Sequence, residues 1–401
     1  MASSLSSTNT DFEYFGQNVY STVCQSNYNQ NVFLSPASIA LAMAMCTVGA
    51  RRETLNQMLH VFNASSIEHL AKIAEKVMYI FSVADYDTQV QLKLVNRLYA
   101  QKSYTLRQDY LNFVQSFFKA DITLEDFENN SAYAIQTINA WIEEQTYGLI
   151  QNLLSINDAS QYTRLIIVNC IYFRGTWVQQ FDEYFTNQYA DFYEVNGHVS
   201  KIQLMYQKEN FNYAEDDYLN VQIAHLPYKS DSYDVEFVFT IILPKQGISL
   251  DEVEQKLTLQ PDLMQQMLSD TYTTRKKLLL YIPKFKMETK FELNDVLIQL
   301  GMINAFSESK ADFTGIVSEQ YDRNGLYISK VIHKAFIDVN ELGSEAAAAT
   351  AVSMVYGCSL IHEEEQPIEF KADRPFLFFI RESRQNIVLF SGKFVSPPTA
   401  S

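Results

Sequence analysis

The stretch RLIIVNCIYFRGTW, from Arg164 to Trp177, constrains the fold more than any other part of the chain. It is an almost unbroken apolar run, which marks a β-strand covered on both faces rather than one alternating between core and water. A strand of that kind needs a large body packed around it. At 401 residues the chain can supply one, and it exceeds the usual size of a single domain.

Helices are expected ahead of this strand. Phe12, Phe15, Val19 and Val23 recur on one helical face. In SPASIALAMAM, Ser35 can cap a helix and Pro36 can fill its first position, where a missing N–H costs nothing. Further helices are expected near 51–62, 66–82, 108–118 and 131–147, the last with Ile135, Ile138, Trp141 and Ile142 along one side. Strands dominate behind. QVQLKLVNRLYA alternates Val90, Leu92 and Leu94 with Gln91 and Lys93, the pattern of a half-buried strand. Others are expected at 219–226, 234–243, 277–289, 325–339, 375–380 and 386–395, with ELNDVLIQLG a short helix ended by Gly301. No repeat and no Gly/Ser- or Pro-rich linker divides the sequence. One mixed α/β domain over residues 1–401 is therefore expected, with 1–10 as a flexible tail.

Lysine and arginine total 31 against 47 acidic residues, a formal charge of −16, which excludes a general attraction for nucleic acid or anionic lipid. Asn31 to Ala50 carries no charge, but Ser35, Pro36, Ser38 and Thr47 among its alanines suit a buried helix and not a membrane span. The opening MASSLSSTNTDFEYF has neither the basic nor the apolar region of a signal peptide. A soluble protein is expected, cytoplasmic or secreted. Cys24, Cys46 and Cys170 lie in apolar surroundings and are expected as buried small hydrophobes; with Cys358 they form no C-x-x-C and no zinc pattern. Asn63 and Asn129 open N-x-S sequons, relevant only to a secreted chain.

Catalytic signatures are absent. Of the six histidines, His362 opens HEEEQ, which lacks the second histidine of a zinc-protease motif. There is no G-x-S-x-G, no P-loop and no G-x-G-x-x-G, and twelve glycines are few for an enzyme that cradles phosphates. No catalytic residue, cofactor or metal is assigned, and an enzyme is the weakest reading.

Five segments carry a specific resemblance. NVFLSPASIALAM, LIIVNCIYFRGTWVQQF, YIPKFKMETKFELNDVLIQLGM with AFSESKADFTGI, ISKVIHKAFIDVNELGSEAAAAT, and FKADRPFLFFI with FSGKFVSP occur in this order over nearly the whole chain. Together they resemble the serpin superfamily, in its inhibitory type. The missing signal peptide is similar to its ovalbumin-like branch. The resemblance implies three β-sheets, about nine helices and an exposed reactive loop over 341–370. In inhibitory members a serine protease cleaves that loop and is held as an acyl-enzyme, while the severed arm inserts into the main sheet as an extra strand.

The loop has the composition that insertion requires. The hinge Glu341, Gly343, Ser344, Glu345, Ala346, Ala347, Ala348, Ala349 and Thr350 contains no proline, and none follows before Tyr356, so every amide could join a ladder. Alternate residues Ser344, Ala346, Ala348, Thr350, Val352 and Met354 are uncharged and suit a buried face; Glu345, Ala347, Ala349, Ala351 and Ser353 suit a more exposed one. By resemblance, Ser35, Ser38, Asn169 and His333 match the "shutter" beneath the parting strands, and Trp177, Lys284 and Glu341 the "breach" where the loop enters. A Lys284–Glu341 ion pair is expected. The family's spacing places the scissile bond at Gly357–Cys358, with Tyr356–Gly357 as the alternative. An elastase-like or chymotrypsin-like target is expected and a trypsin-like one is not, since no Arg or Lys lies between Glu341 and Phe370. The arm from Cys358 to Pro375 is longer than is usual and carries Glu363, Glu364 and Glu365. The partners implied are serine proteases and, second, papain-like cysteine proteases, met by a monomer. No basic helix suggests heparin binding. The alternative function is a non-inhibitory serpin acting as a binding or carrier protein.

Overall fold

Ser35 opens the most deeply buried helix of the molecule. Its backbone is extended and its side chain accepts from the Ser38 amide, while Pro36 takes the first helical position. The computed structural model describes residues 10–318, 325–344 and 366–398. From the amino end the chain runs through α1 (Thr10–Ser26), β1 (Val32–Leu34), α2 (Pro36–Gly49), α3 (Arg52–Phe62), α4 (Ile67–Tyr86), β2 (Val90–Gln101), α5 (Gln108–Phe118), β3 (Ile122–Glu125) and α6 (Phe127–Gln145). Strands then take over: β4 (Leu165–Thr176), β5 (Asn187–Tyr193), β6 (Val199–Asp216), β7 (Val221–Pro227) and β8 (Phe237–Pro244). After α7 (Leu250–Leu259) and α8 (Pro261–Leu268) come β9 (Thr274–Pro283), β10 (Phe285–Glu292), α9 (Asn294–Leu300), β11 (Lys330–Val339), β12 (Gly343–Ser344), β13 (Ile368–Lys371), β14 (Phe376–Glu382) and β15 (Ile387–Phe394).

The apolar run Leu165–Thr176 is the inner strand β4, buried along almost all of its length. Its neighbours are β11, parallel, and β2, antiparallel; with β10, β3 and β12 these complete a six-stranded sheet. Leu165, Ile167, Ile171 and Phe173 face the main core with α2, whereas Ile166, Val168 and Cys170 pack with Ile135, Ile138 and Ile142 of α6. Every residue of α2 is buried, which is why the uncharged stretch 31–50 carries no charge. Among the described residues no helix is long and apolar enough to cross a membrane. Cys24, Cys46 and Cys170 are free and buried; Cys358 lies outside the described residues.

The resemblance implies three sheets and about nine helices. The described residues contain nine α-helices, and hydrogen bonding joins their strands into two sheets. The second has nine strands because the 18-residue β6 pairs with β5 at one end and β7 at the other, with β9 alongside. The three sheets expected are thus two among the described residues. The strand expected at 277–289 is two strands: β9 belongs to the nine-stranded sheet and β10 to the six-stranded one, with the change at Pro283–Lys284. Pro283 has no N–H with which to continue a ladder. The expected strand at 325–339 begins only at Lys330.

Candidate functional site

Three adjacent strands of the six-stranded sheet set a polar row across an apolar surface. In register, His333 of β11 lies beside Asn169 of β4, and Asn169 beside Asn96 of β2. Beneath the row, the first turn of α2 brings Ser35 and Ser38. Ser38 Oγ donates to Asn169 Oδ1 at 2.9 Å, Ser35 Oγ donates to the Leu389 carbonyl at 2.6 Å, and Asn169 Nδ2 donates to the Ser38 carbonyl at 3.2 Å. Asn169 Nδ2 also donates to Asn96 Oδ1. All four residues expected at the shutter therefore meet in one hydrogen-bonded cluster. Asn96 joins them unannounced, and the signal was present: it continues the inward parity of Val90, Leu92 and Leu94 with a polar residue.

The cluster fixes the proton on His333. The Ser35 amide donates to Nε2 at 3.1 Å, so that nitrogen is unprotonated, and Nδ1–H donates to Asn169 Oδ1. Burial pushes the imidazole down to about 3. It is a neutral strut between β11, β4 and α2.

Beyond the carboxyl end of β11 lies the turn that brings together Trp177, Lys284 and Glu341, the residues expected at the breach. Pairing of β11 with β4 ends at Ile337–Phe173. Beyond it the chain turns tightly at Asn340, whose side chain accepts from the Leu342 and Gly343 amides. It returns as β12 on the same side of β4, antiparallel, with Gly343 opposite Thr176 and Ser344 opposite Gly175. Gly343 has φ +151°, and a Cβ there would stand 1.9 Å from the Gly175 carbonyl oxygen. Trp177, buried and stacked on Tyr228 at 4.3 Å, donates through Nε1 to the Asn340 carbonyl at 2.9 Å. Glu341 lies inside the turn. Lys284 Nζ stands 2.7 Å from its Oε2, and Thr186 Oγ1 donates to its Oε1 at 2.9 Å. Burial alone would raise this carboxyl, but the Lys284 ammonium, the backbone amide and the Thr186 hydroxyl hold it below the ordinary value. The ion pair is more than a surface contact, because Glu341 is only 3% exposed although Lys284 is 36% exposed. Lys284 is placed there by the change of sheet between β9 and β10. Asn340 and Thr186 were not foreseen; an asparagine before ELG is a turn signal.

Of the hinge, Glu341, Gly343 and Ser344 are described. Glu345, Ala346, Ala347, Ala348, Ala349 and Thr350 lie outside the described residues, as do Tyr356, Gly357 and Cys358 at the expected reactive bond. Among the described residues no cluster of metal-ligating side chains occurs.

A family model described as serpin (serine protease inhibitor) matches residues 10–397. Mouse antithrombin-III is 35% identical over 96% of this chain and 80% of its own length. Human leukocyte elastase inhibitor is 33% identical over 98% and 99% respectively. The crystal structure of Serpin48, a highly specific serpin of the insect Tenebrio molitor, superposes with a TM-score of 0.83 at 27% identity, covering 99% of this chain and all of that one. The match over residues 10–397 and the identity to these relatives over nearly the whole chain show that the chain belongs to the serpin family.

Proposed function

We propose that the protein inhibits serine endopeptidases as a suicide substrate, its severed loop inserting between β4 and β11. The observation that carries this reading is β12. Two residues of the hinge already take the next rung beside β4, in the orientation an inserted strand would have.

Continuing that register down β4 sets Glu345 opposite Arg174, Ala346 opposite Phe173, Ala348 opposite Ile171, Thr350 opposite Asn169 and Val352 opposite Ile167. Even-numbered positions would then share the face of Ile167, Ile171 and Phe173, which belong to the main core. Odd-numbered positions would share the face of Val168 and Cys170, which α6 covers. The small side chains of Ala347, Ala349 and Ala351 suit that covered face, and Glu345 suits Arg174. Thr350 would extend the polar row of Asn169 and His333. A strand of about ten residues, with each backbone bond worth roughly 0.5–1.5 kcal/mol net, adds on the order of 10 kcal/mol before packing. That matches the whole stability of an ordinary domain, about 5–15 kcal/mol, and is enough to make the trap irreversible.

The target reading rests on the loop sequence. Gly357 before the scissile bond suits a small elastase-like pocket, and Tyr356 suits a chymotrypsin-like one. Papain-like cysteine proteases come second. The test is incubation with elastase, chymotrypsin and a cathepsin-type protease, followed by denaturing gels. A covalent complex with a serine protease is the expected result. Cleavage without complex by every protease would reject the trap and favour the carrier alternative. Mass spectrometry of the released carboxy-terminal peptide distinguishes Gly357–Cys358 from Tyr356–Gly357.

A further inference from the structure

The segment that leads from α6 into β4 straps the far end of the slot between β4 and β11. It is fastened to α6 by Asn139, whose side chain exchanges two hydrogen bonds of 2.8 Å with the Leu154 carbonyl and amide, and Leu153, Leu154 and Ala159 are buried with Ile138 and Ile142 of that helix. A single short turn follows, Ile156–Asp158, closed by the Ser155 amide and hydroxyl, which donate to Asp158 Oδ2 at 2.7 and 3.0 Å.

Asp158 belongs to the β4 side of the slot, yet its carboxylate reaches the opposite side. Oδ1 stands 2.8 Å from Lys330 Nζ of β11 and Oδ2 3.6 Å from Lys290 Nζ of β10, while Lys330 also meets Glu292 of β10 at 3.0 Å. The Asp158 and Lys330 side chains are only 13% and 17% exposed, so solvent and salt weaken their attraction less than that of a surface pair. Burial would raise the Asp158 carboxyl, but the Lys330 ammonium and Ser155 hold it down to about 2. Higher on the same strands, the pairs Lys334–Glu288 and Lys286–Asp338 stay within β10 and β11. The bridge also lies at the end of the slot remote from the hinge, because Lys330 is in register with Ile166, the first rung of β11 on β4. In the register that β12 begins, Ser353 falls opposite Ile166. A loop entered as far as Thr350, opposite Asn169, has yet to part that rung; a loop entered as far as Ser353 must have parted it.

We propose that Asp158 and Lys330 form a clasp across the lower end of the slot and set how far the severed loop enters before the strap gives way. They are positioning residues for the trap, and the proposal rests on the inhibitory reading above. While the loop waits above the clasp, the protease is able to finish its own turnover. Water adds to the carbonyl of the ester that joins the protease serine to the loop, the serine oxygen leaves and takes up a proton, and the inhibitor departs cleaved with a free carboxylate. A clasp that opens late therefore favours release over capture.

The test uses the intact full chain and two synthetic peptides of its own loop, Ser344–Thr350 and Ser344–Met354, with annealing followed by native gels and by the rise in Tm. Both should anneal to the unaltered chain, the longer one more slowly. Asp158→Asn and Lys330→Gln should each speed the longer peptide about five- to tenfold, as expected when a charge-assisted contact must break first, and leave the shorter one unchanged within about twofold. The double variant should be no faster than either single one, because both remove the same contact. Equal acceleration of the two peptides, an unaltered rate for the longer one, or additive effects in the double variant would each overturn the clasp. Failure of both peptides to anneal to any of these chains would overturn the clasp together with the slot on which it rests, so the two failures are distinguishable. Should the variants not fold, raising the salt on the unaltered chain from about 0.05 to 0.5 M decides: only the longer peptide should anneal faster, and an equal response of the two would count against the clasp.

Discussion

His333 is held neutral by what surrounds it: the Ser35 amide needs a lone pair on Nε2, and the ring is fully buried, where a second proton would be desolvated. His225, which is also buried, is pushed down to about 3 by desolvation and by the nearby Arg381 cation. In the unfolded chain both would titrate near 6.5. Between that value and about 3 the unfolded state binds more protons than the folded one, so stability falls as the pH is lowered through this window. Each histidine adds about 1.4 kcal/mol per pH unit to the slope. Urea unfolding across the window should show it, and His333→Gln should remove one histidine's share while lowering stability at neutral pH. Slopes that coincide for the two proteins would mean that His333 is not buried neutral. Asn169 is the other critical single residue, since its Oδ1 accepts from both Ser38 and His333. Asn169→Ala leaves His333 Nδ1–H without its acceptor, although Ser38 Oγ keeps the Ser35 carbonyl at 3.2 Å, and should cost about 1–3 kcal/mol in the same assay; a loss within error would show that the cluster re-forms around water.

At the scale of elements, the decisive piece is the two-residue β12, which meets β4 where β11 has just left it. An arginine at position 346, the first core-facing position beyond β12 in the continued register, would have to enter the sheet first, and a buried unpaired guanidinium costs several kcal/mol, a large share of the gain from insertion. Ala346→Arg should therefore turn an inhibitor into a substrate, seen on gels as cleaved chain without complex. Unchanged complex formation would contradict entry by this route. Elements whose sequence pattern is set by burial alone were readable: β4 as an apolar run, α2 from Ser35 and Pro36, and α1 from Phe12, Phe15, Val19 and Val23. Elements set by partners in space were not. The strands β9 and β10 share one alternation, and only Pro283 hints that the chain changes sheet there. β6 went unseen because Lys208, Glu209 and Asn210 interrupt its buried side, and β5, α7 and α8 are short and largely polar at their surfaces. The shutter residues were identified by resemblance, whereas Asn96, Asn340 and Thr186 owe their place to register and to a turn that no spacing in the sequence reveals.

For the whole molecule, the account holds that the intact chain is not at its lowest free energy. The rungs between β4 and β11 are paired over eight positions, from Lys330–Ile166 to Ile337–Phe173, and those pairs must part before a longer and better-paired sheet can form. On this account the polar cluster under those strands serves as a latch: Asn169 and His333 hydrogen-bond to each other and to the first turn of α2. The measurement that tests this most directly compares thermal or guanidinium unfolding of the intact chain with that of the chain nicked once in the reactive loop. The nicked form should resist unfolding far beyond the intact one, in keeping with an added strand worth on the order of 10 kcal/mol. Equal resistance in the two forms would contradict a sheet that waits for its own loop.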